Sequence, residues 1–110
     1  MLQVIIRKKD RASDKAIRFL KERRIPYQSL NIDEKDLSKK EWESIFSSAP
    51  SAEELIDRES QFYKKNGYSW REYDAKEELI MHPELLRTPV FRKGRKCCFT
   101  LDEDFVRENA

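Results

Sequence analysis

The sequence predicts a single α/β domain, residues 1–110, with the element order βαβ, a helical insert over about residues 38–86, and ββα. Three patterns predict this order: a strand–helix–strand pattern at the N-terminus, helix-capping signals in the middle, and two strand-like runs around a glycine near the C-terminus. At 110 residues the chain is long enough for one hydrophobic core and too short for two independent domains.

The N-terminal unit begins with Leu2–Ile6, a short apolar run that is typical of a buried strand. Apolar residues then recur at helical spacing over residues 11–24, and Pro26 prevents the helix from continuing. Strand alternation resumes over residues 27–32. Because a helix connects them, these two strands are expected to be parallel neighbours in a mixed sheet.

The middle of the chain contains two capping-box patterns, in which a Ser is followed three residues later by a Glu. They begin at Ser38 and Ser51, so one helix is predicted to begin after each. Asn66-Gly67 provides a favourable left-handed end for the second helix. A further helix is predicted over residues 75–81.

The C-terminal third has strand-like runs at residues 88–92 and 96–100 around Lys93-Gly94-Arg95, which predicts an antiparallel hairpin. Asp102 is positioned to cap a terminal helix. A βαβ unit followed by a ββα unit is the arrangement of thioredoxin-like folds. In such folds the first strand-to-helix junction is the active site, because a helix N-terminus lowers the pKa of a thiol there. Pro89 is expected to face this junction.

Charge and composition exclude several classes of function. The chain has 23 basic and 21 acidic residues, a net charge of +2, and the two signs alternate. No direct nucleic-acid binding is expected, because that would need segregated basic charge. No apolar run approaches the roughly 20 residues that cross a bilayer, and two adjacent cysteines do not make a disulfide framework. No membrane association and a cytoplasmic location are predicted.

Three segments carry a resemblance to a known family: DRASDKAIRFLKERRIPY, SAEELIDRESQFYKKNGY and MHPELLRTPVF. Over nearly all 110 residues the chain resembles the arsenate reductase (ArsC)/Spx family of thioredoxin-fold proteins. The third segment is the most specific, because its His, Leu-Leu-Arg and Pro residues resemble the HPxLLRRP signature of the Spx branch.

The resemblance places the family's catalytic Cys position at Asp10 and its second Cys or Ser position at Ser13, with Lys15-Ala16 and Ile25-Pro26 setting the register. A carboxylate cannot act as a thiol nucleophile toward arsenic, and a Ser hydroxyl is too weakly acidic without a base. The resemblance therefore implies that the redox chemistry of this site is lost.

The family's reductases hold the arsenate oxyanion with three arginines. The resemblance places one at Thr88, directly after Arg87, and another at about Thr100-Leu101, so both are replaced. The third is kept as Arg58, which is expected to lie on a helix. An anion site that keeps one of three arginines should be weakened. The resemblance implies the following binding residues: Asp10, Arg11, Ser13, Arg58, Arg87, Thr88 and Pro89.

Spx acts by binding the C-terminal domain of the RNA polymerase α subunit, and its contact surface includes the start of the insert helix. That region corresponds here to Pro50, Ser51 and the residues up to Arg58, with Pro50 in place of a Gly that Spx uses. The resemblance thus implies a non-catalytic protein-binding or regulatory module, with the RNA polymerase α subunit as the expected partner and no cofactor.

The alternative is an arsenate reductase-like or glutathione-dependent thiol oxidoreductase that uses Cys97 or Cys98, with glutathione as its ligand. These residues point to opposite faces of their strand, so one is expected to be buried and the other at least half exposed. Two Cys and one distant His give only a weak zinc signal, and no metal site is predicted.

Several site residues also have a structural interpretation. Asp10 is favoured as a helix N-cap over a general base, and Ser13 as a partner of nearby backbone over a nucleophile. For Arg58 the sequence favours neither of two roles, a ligand or partner contact or a surface charge paired with carboxylates. Trp70 and Tyr73 are expected to pack, with an exposed aromatic anchor for a partner as the alternative.

Overall fold

A four-stranded mixed sheet forms the centre of the fold in the computed structural model, which describes all 110 residues. The strand order is β2-β1-β3-β4, with β1 and β2 parallel and the other two pairs antiparallel. The strands are β1 Leu2–Ile6, β2 Tyr27–Asn31, β3 Val90–Lys93 and β4 Lys96–Cys98. The mixed sheet and the βαβ and ββα units predicted from the sequence are confirmed.

Five α-helices flank the sheet, and three short 3₁₀ turns lie between α2 and β3. The helices are α1 Arg11–Glu22, α2 Lys39–Ser48, α3 Gln61–Lys65, α4 Ala75–Met81 and α5 Glu103–Asn109. The 3₁₀ turns span Glu53–Leu55, Tyr68–Trp70 and Pro83–Leu85. No helix combines the length and the apolar character needed to cross a bilayer.

Two hydrophobic clusters cover the two faces of the sheet. Val4 belongs to the smaller cluster with residues of α1 and α5, whereas its neighbour Ile5 belongs to the larger cluster with the helices between β2 and β3. Both side chains are fully buried, because successive residues of a strand point to opposite faces and β1 is an inner strand. The end of β1 is therefore held firmly from both sides, and the candidate site begins there.

One of the two predicted capping boxes is confirmed and the other is wrong. Ser38 accepts from the Glu41 N–H at 3.2 Å and Glu41 accepts from the Ser38 N–H at 2.8 Å, so α2 begins as predicted. Ser51 begins no α-helix, because a 3₁₀ turn follows it and Ile56 pairs with Leu86 in an isolated bridge. The next helix, α3, begins only after Ser60, whose hydroxyl accepts from the Tyr63 N–H.

Trp70 and Tyr73, the two aromatic residues within residues 69–74, differ in burial. Tyr73 packs edge-on against Tyr68 with the ring centroids 5.1 Å apart, as expected. The packing expected for Trp70 is wrong, because this side chain is 91% exposed at the end of the second 3₁₀ turn.

Arg24, two residues after the end of α1, has a left-handed backbone conformation that residues other than Gly rarely adopt. Its φ is 54°, the Ile25 N–H donates to the Leu20 carbonyl at 3.0 Å, and the Arg24 N–H donates to the Lys21 carbonyl at 3.1 Å. These two bonds form a Schellman motif, in which the left-handed residue is most often Gly. An Arg at this position adopts a left-handed backbone against the steric preference of its Cβ.

Replacing Arg24 by Gly is expected to raise the free energy of unfolding by about 1 kcal/mol, because Gly adopts a positive φ without that steric cost. Guanidinium denaturation followed by circular dichroism measures the change. Arg18→Gly is the matched control: it lies in the exposed interior of the same helix and should be destabilising by about 1 kcal/mol. An Arg24→Gly variant no more stable than the wild type would contradict the expectation.

Candidate functional site

Asp10, Ser13 and Thr88 form a hydrogen-bonded cluster between the start of α1 and the start of β3. The hydroxyls of Ser13 and Thr88 both donate to Asp10 Oδ2, over 2.6 Å and 2.5 Å. Ser13 is 1% exposed and Thr88 is 8% exposed. Thr88 precedes Pro89 across a cis peptide bond, and Pro89 is buried. The structure thus brings together four residues that the sequence assigns to the site.

Asp10 takes the N-cap position of α1, as predicted, but its side chain does not act as a cap. The carboxylate accepts no hydrogen bond from the helix backbone and binds the two hydroxyls instead. Ser13 accepts from the backbone N–H of Arg7 at 3.2 Å, as expected for a first-turn Ser that binds nearby backbone. One carboxylate oxygen therefore joins two elements that are 78 residues apart in sequence.

Arg7 connects the end of β1 to the segment that leads into Thr88, and sequence reasoning missed it. Its guanidinium donates to the carbonyls of Pro83 at 2.7 Å and Leu86 at 2.9 Å, and it forms an ion pair with Asp33 at 3.2 Å. Its side chain is only 16% exposed. In the sequence Arg7 is one of several charged residues after a strand, and no local pattern marks it.

Two of the predicted binding residues, Arg11 and Arg58, make no hydrogen bond with the cluster. Arg11 is exposed at the start of α1. Arg58 is also exposed, but the expectation that it lies on a helix is wrong, because it belongs to a turn in which the Ser60 N–H donates to the Asp57 carbonyl. No carboxylate oxygen lies within 4.0 Å of its guanidinium, so a paired surface charge is also not observed.

A cleft of about 420 Å³ lies beside the cluster and brings together three positions singled out in the sequence. These are Pro50, Arg87 and Thr100. The cleft is also lined by apolar side chains, including Leu55 and Phe99, and by one acidic residue, Glu54. Arg87 is fixed through its backbone, because its N–H donates to the Leu55 carbonyl at 2.8 Å. The cleft thus has one exposed cation on a rigid backbone. Ser51 lies next to Pro50 and is partly buried.

The two cysteines are both partly buried, so the expectation of one buried and one half-exposed thiol is wrong. Their opposite orientation is correct, since Cys97 packs on the larger hydrophobic cluster and Cys98 on the smaller. The Cys98 thiol donates to the Thr100 carbonyl at 3.3 Å. Neither thiol is a hydrogen-bond partner of Asp10, Ser13 or Thr88. No three His, Cys, Asp or Glu side chains are grouped so that they could hold a metal.

Burial raises the pKa of the Cys97 thiol, and this effect outweighs the opposing contributions of a hydrogen bond with Ser48 and the charge of Arg92. Thiolate is the reactive form, so burial makes Cys97 less reactive at neutral pH than an ordinary thiol. In a Cys98→Ser variant, alkylation by iodoacetamide at pH 7 is expected to be at least tenfold slower in the native protein than in urea. Equal rates would show that the thiol is accessible and more acidic than its burial implies.

Several solved structures with the same fold are described as arsenate reductases or as ArsC-related proteins. An arsenate reductase from Vibrio cholerae has a TM-score of 0.77 at 14% identity, covering 99% of this chain and 97% of that chain. For an ArsC-family related protein from Bacteroides fragilis the TM-score is 0.79 at 14% identity, with 99% and 98% covered. An ArsC-related protein from Brucella melitensis gives 0.70 at 17% identity, with 97% and 92% covered.

By sequence, no protein-family model and no curated protein matches the chain. The likeness is therefore one of fold, and it extends over nearly the full length of each of these structures. Taken with the mixed sheet and its element order, it shows that the chain has the thioredoxin-like fold of proteins in the arsenate reductase (ArsC) family.

Proposed function

We propose that this protein is a non-catalytic binding or regulatory module built on the ArsC/Spx fold. The observation that carries the proposal is Asp10, a carboxylate bound by two hydroxyls at the N-terminus of α1, where the resemblance expects a catalytic Cys. The N-terminal end of a helix stabilises an anion there. In this chain a carboxylate takes that place.

The chemistry of the cluster supports a loss of reductase activity. Ser13 cannot replace the thiol, because its oxygen is buried and already engaged with Asp10 and with the Arg7 backbone. The negative charge of Asp10 would also repel an oxyanion. Thr88 stands where the resemblance expects an anion-binding Arg, and its hydroxyl donates to Asp10. These contacts favour a site closed by internal hydrogen bonds.

The cleft beside the cluster is the surface that best fits a protein partner. Its wall combines apolar side chains with exposed Arg87, a residue type that is enriched at protein interfaces. Pro50 lies in the region that the resemblance to Spx assigns to partner contact. On that resemblance, the C-terminal domain of the RNA polymerase α subunit is the first partner to test, and the proposed location is the cytoplasm.

Two assays test this proposal. Consumption of NADPH with arsenate, glutathione, glutathione reductase and glutaredoxin is expected to stay at the blank level. Turnover that disappears in a Cys97→Ser/Cys98→Ser variant would establish the alternative, a thiol oxidoreductase with glutathione as its ligand. Calorimetric titration with the RNA polymerase α C-terminal domain is expected to show saturable binding.

Arg87→Glu should weaken that binding at least tenfold, because it reverses the charge at the cleft while leaving the backbone bond to Leu55. Arg18→Glu, an exposed charge reversal on α1, is the matched control and should have no effect. Absence of any heat change with the wild type would remove this partner from the proposal.

A further inference from the structure

A second depression lies at the opposite end of the sheet from Asp10, between α2 and the turn that joins β3 to β4. It has a volume of about 480 Å³, and no apolar side chain lines it. The strand register fixes its place, because Arg92 pairs with Gln3 near the start of β1, whereas Val90 pairs with Ile5 near the end of β1. This depression is therefore independent of the cluster at the start of α1.

Three cations line the depression: Lys40, Arg92 and Arg95. No carboxylate oxygen lies within 4.0 Å of any of their charged nitrogens, although Glu43 is also in the lining. The lining is therefore net positive, with no ion pair inside it, although the charge of Glu41 outside the lining also acts on Arg92. Like charges held together without a counter-charge disfavour the fold unless an anion joins them.

Arg92 gives a second and independent indication. One of its terminal nitrogens donates to Gln3 Oε1 at 3.0 Å, but its Nε–H is buried and has no hydrogen-bond partner. It is the single buried side-chain nitrogen or oxygen in the chain without a partner. Buried donors are nearly always paired, so the hydrogen-bonding capacity of this guanidinium is not fully used within the chain. Because the Nε itself is buried, an anion in the depression would bind the second terminal nitrogen, which also makes no hydrogen bond within the chain.

The frame around these cations is rigid. The Ser44 hydroxyl is within hydrogen-bond distance of the carbonyls of Lys40 and Gly94, at 3.0 Å and 3.1 Å, and Ser44 is 5% exposed. Ser48 donates to the Arg95 carbonyl at 3.0 Å. These bonds fasten the β3–β4 turn to α2. The backbones that carry Lys40 and Arg95 are therefore held together in advance, which lowers the entropic cost of binding a shared ligand.

We propose that this depression binds a small molecule through a phosphate group. Arginine and lysine side chains around a polar cavity suit phosphate, since guanidinium groups bind its oxygens in pairs and the ammonium adds a point charge. The net positive charge matches the dianionic form of phosphate. The volume leaves room for more than the phosphate itself. The basic residues surround one depression and do not form an extended stripe, which favours a small anion over a nucleic acid.

The test is a titration followed by ¹H–¹⁵N correlation spectra at constant ionic strength, with pyrophosphate as the first probe. Saturable shifts are expected at the amides of Ser44, Gly94 and Arg95 and at the Nε–H signal of Arg92. Orthophosphate and methyl phosphate, titrated separately, distinguish a free ion from a phosphate ester. Saturable binding of either one at these residues supports the site.

A double variant, Lys40→Gln/Arg95→Gln, is expected to weaken pyrophosphate binding at least tenfold while leaving the fold intact, since neither side chain makes a hydrogen bond or ion pair within the chain. The matched control is Arg18→Gln/Lys21→Gln, which removes one Arg and one Lys charge from the exposed surface of α1 and should leave the affinity unchanged. Shifts that grow linearly without saturation, equal affinities in both double variants, or shifts centred on Arg87 would overturn the proposal.

Discussion

Replacing Arg7 by Ala is expected to lower the free energy of unfolding by about 3 kcal/mol, because a hydrogen bond from a charged donor contributes about 1.5–3 kcal/mol and this side chain makes several. Its guanidinium binds the carbonyls of Pro83 and Leu86 and the carboxylate of Asp33. Leu86 is fully buried, so its carbonyl would lose its partner in a place that water reaches poorly. Chemical denaturation at neutral pH measures the loss.

Lys8→Ala is the matched control for Arg7→Ala. Lys8 is the next residue and also forms an ion pair, with Glu34 at 2.7 Å, but both side chains are more than half exposed. An exposed pair of this kind contributes little to stability, because solvent screens it. Similar losses in the two variants would show that the buried contacts of Arg7 do not contribute as we expect. Arg7→Lys should recover only part of the loss, because one ammonium cannot reproduce the fork that reaches two carbonyls.

The fold was largely predictable because its signals are local. The spacing of apolar residues predicts β1 and α1, and the capping box of Ser38 predicts α2. Gly94, which has a φ of 61°, predicts the hairpin. The insert was harder because Ser51 has the same local pattern as Ser38. After Ser51, Ile56 has an extended conformation and pairs with Leu86 in an isolated bridge. A local sequence pattern cannot reveal this pairing, because the two residues are 30 positions apart.

The candidate site could be located but not assembled from the sequence. The junction at Asp10 follows from the order of elements, and the resemblance supplies Pro89. The contact of Asp10 with Thr88 joins residues 78 positions apart, and Arg7 reaches Pro83 over 76 positions. Such contacts depend on how the insert folds over the end of β1. The burial of the two cysteines depends likewise on packing from both faces of β4.

Replacing Asp10 by Cys is expected to create a thiol that reacts with iodoacetamide at pH 7 at least tenfold faster than Cys97. The hydroxyls of Ser13 and Thr88 already donate to an anion at this position. A thiolate there would accept from the same donors and would also lie at the N-terminus of α1, which stabilises negative charge. A Cys97→Ser/Cys98→Ser background leaves this thiol as the one that reacts.

Asp14→Cys in the same background is the matched control, because Asp14 lies in the first turn of α1 but is exposed and binds neither hydroxyl. Adding Thr88→Val to Asp10→Cys removes one donor and should slow its alkylation severalfold. Equal rates for Asp10→Cys and Asp14→Cys would mean that the two hydroxyls do not stabilise an anion.

The Asp10→Cys variant separates two losses that the proposal invokes, the loss of the catalytic thiol and the loss of the anion-binding arginines. We expect the Asp10→Cys thiol to be reactive yet unable to reduce arsenate, because the resemblance places two of the three anion-binding arginines at Thr88 and at about Thr100-Leu101. In the coupled NADPH assay it should therefore stay at the blank level. Turnover by Asp10→Cys alone would show that the missing thiol was the single obstacle, and that Arg58 and Arg87 suffice to hold the oxyanion.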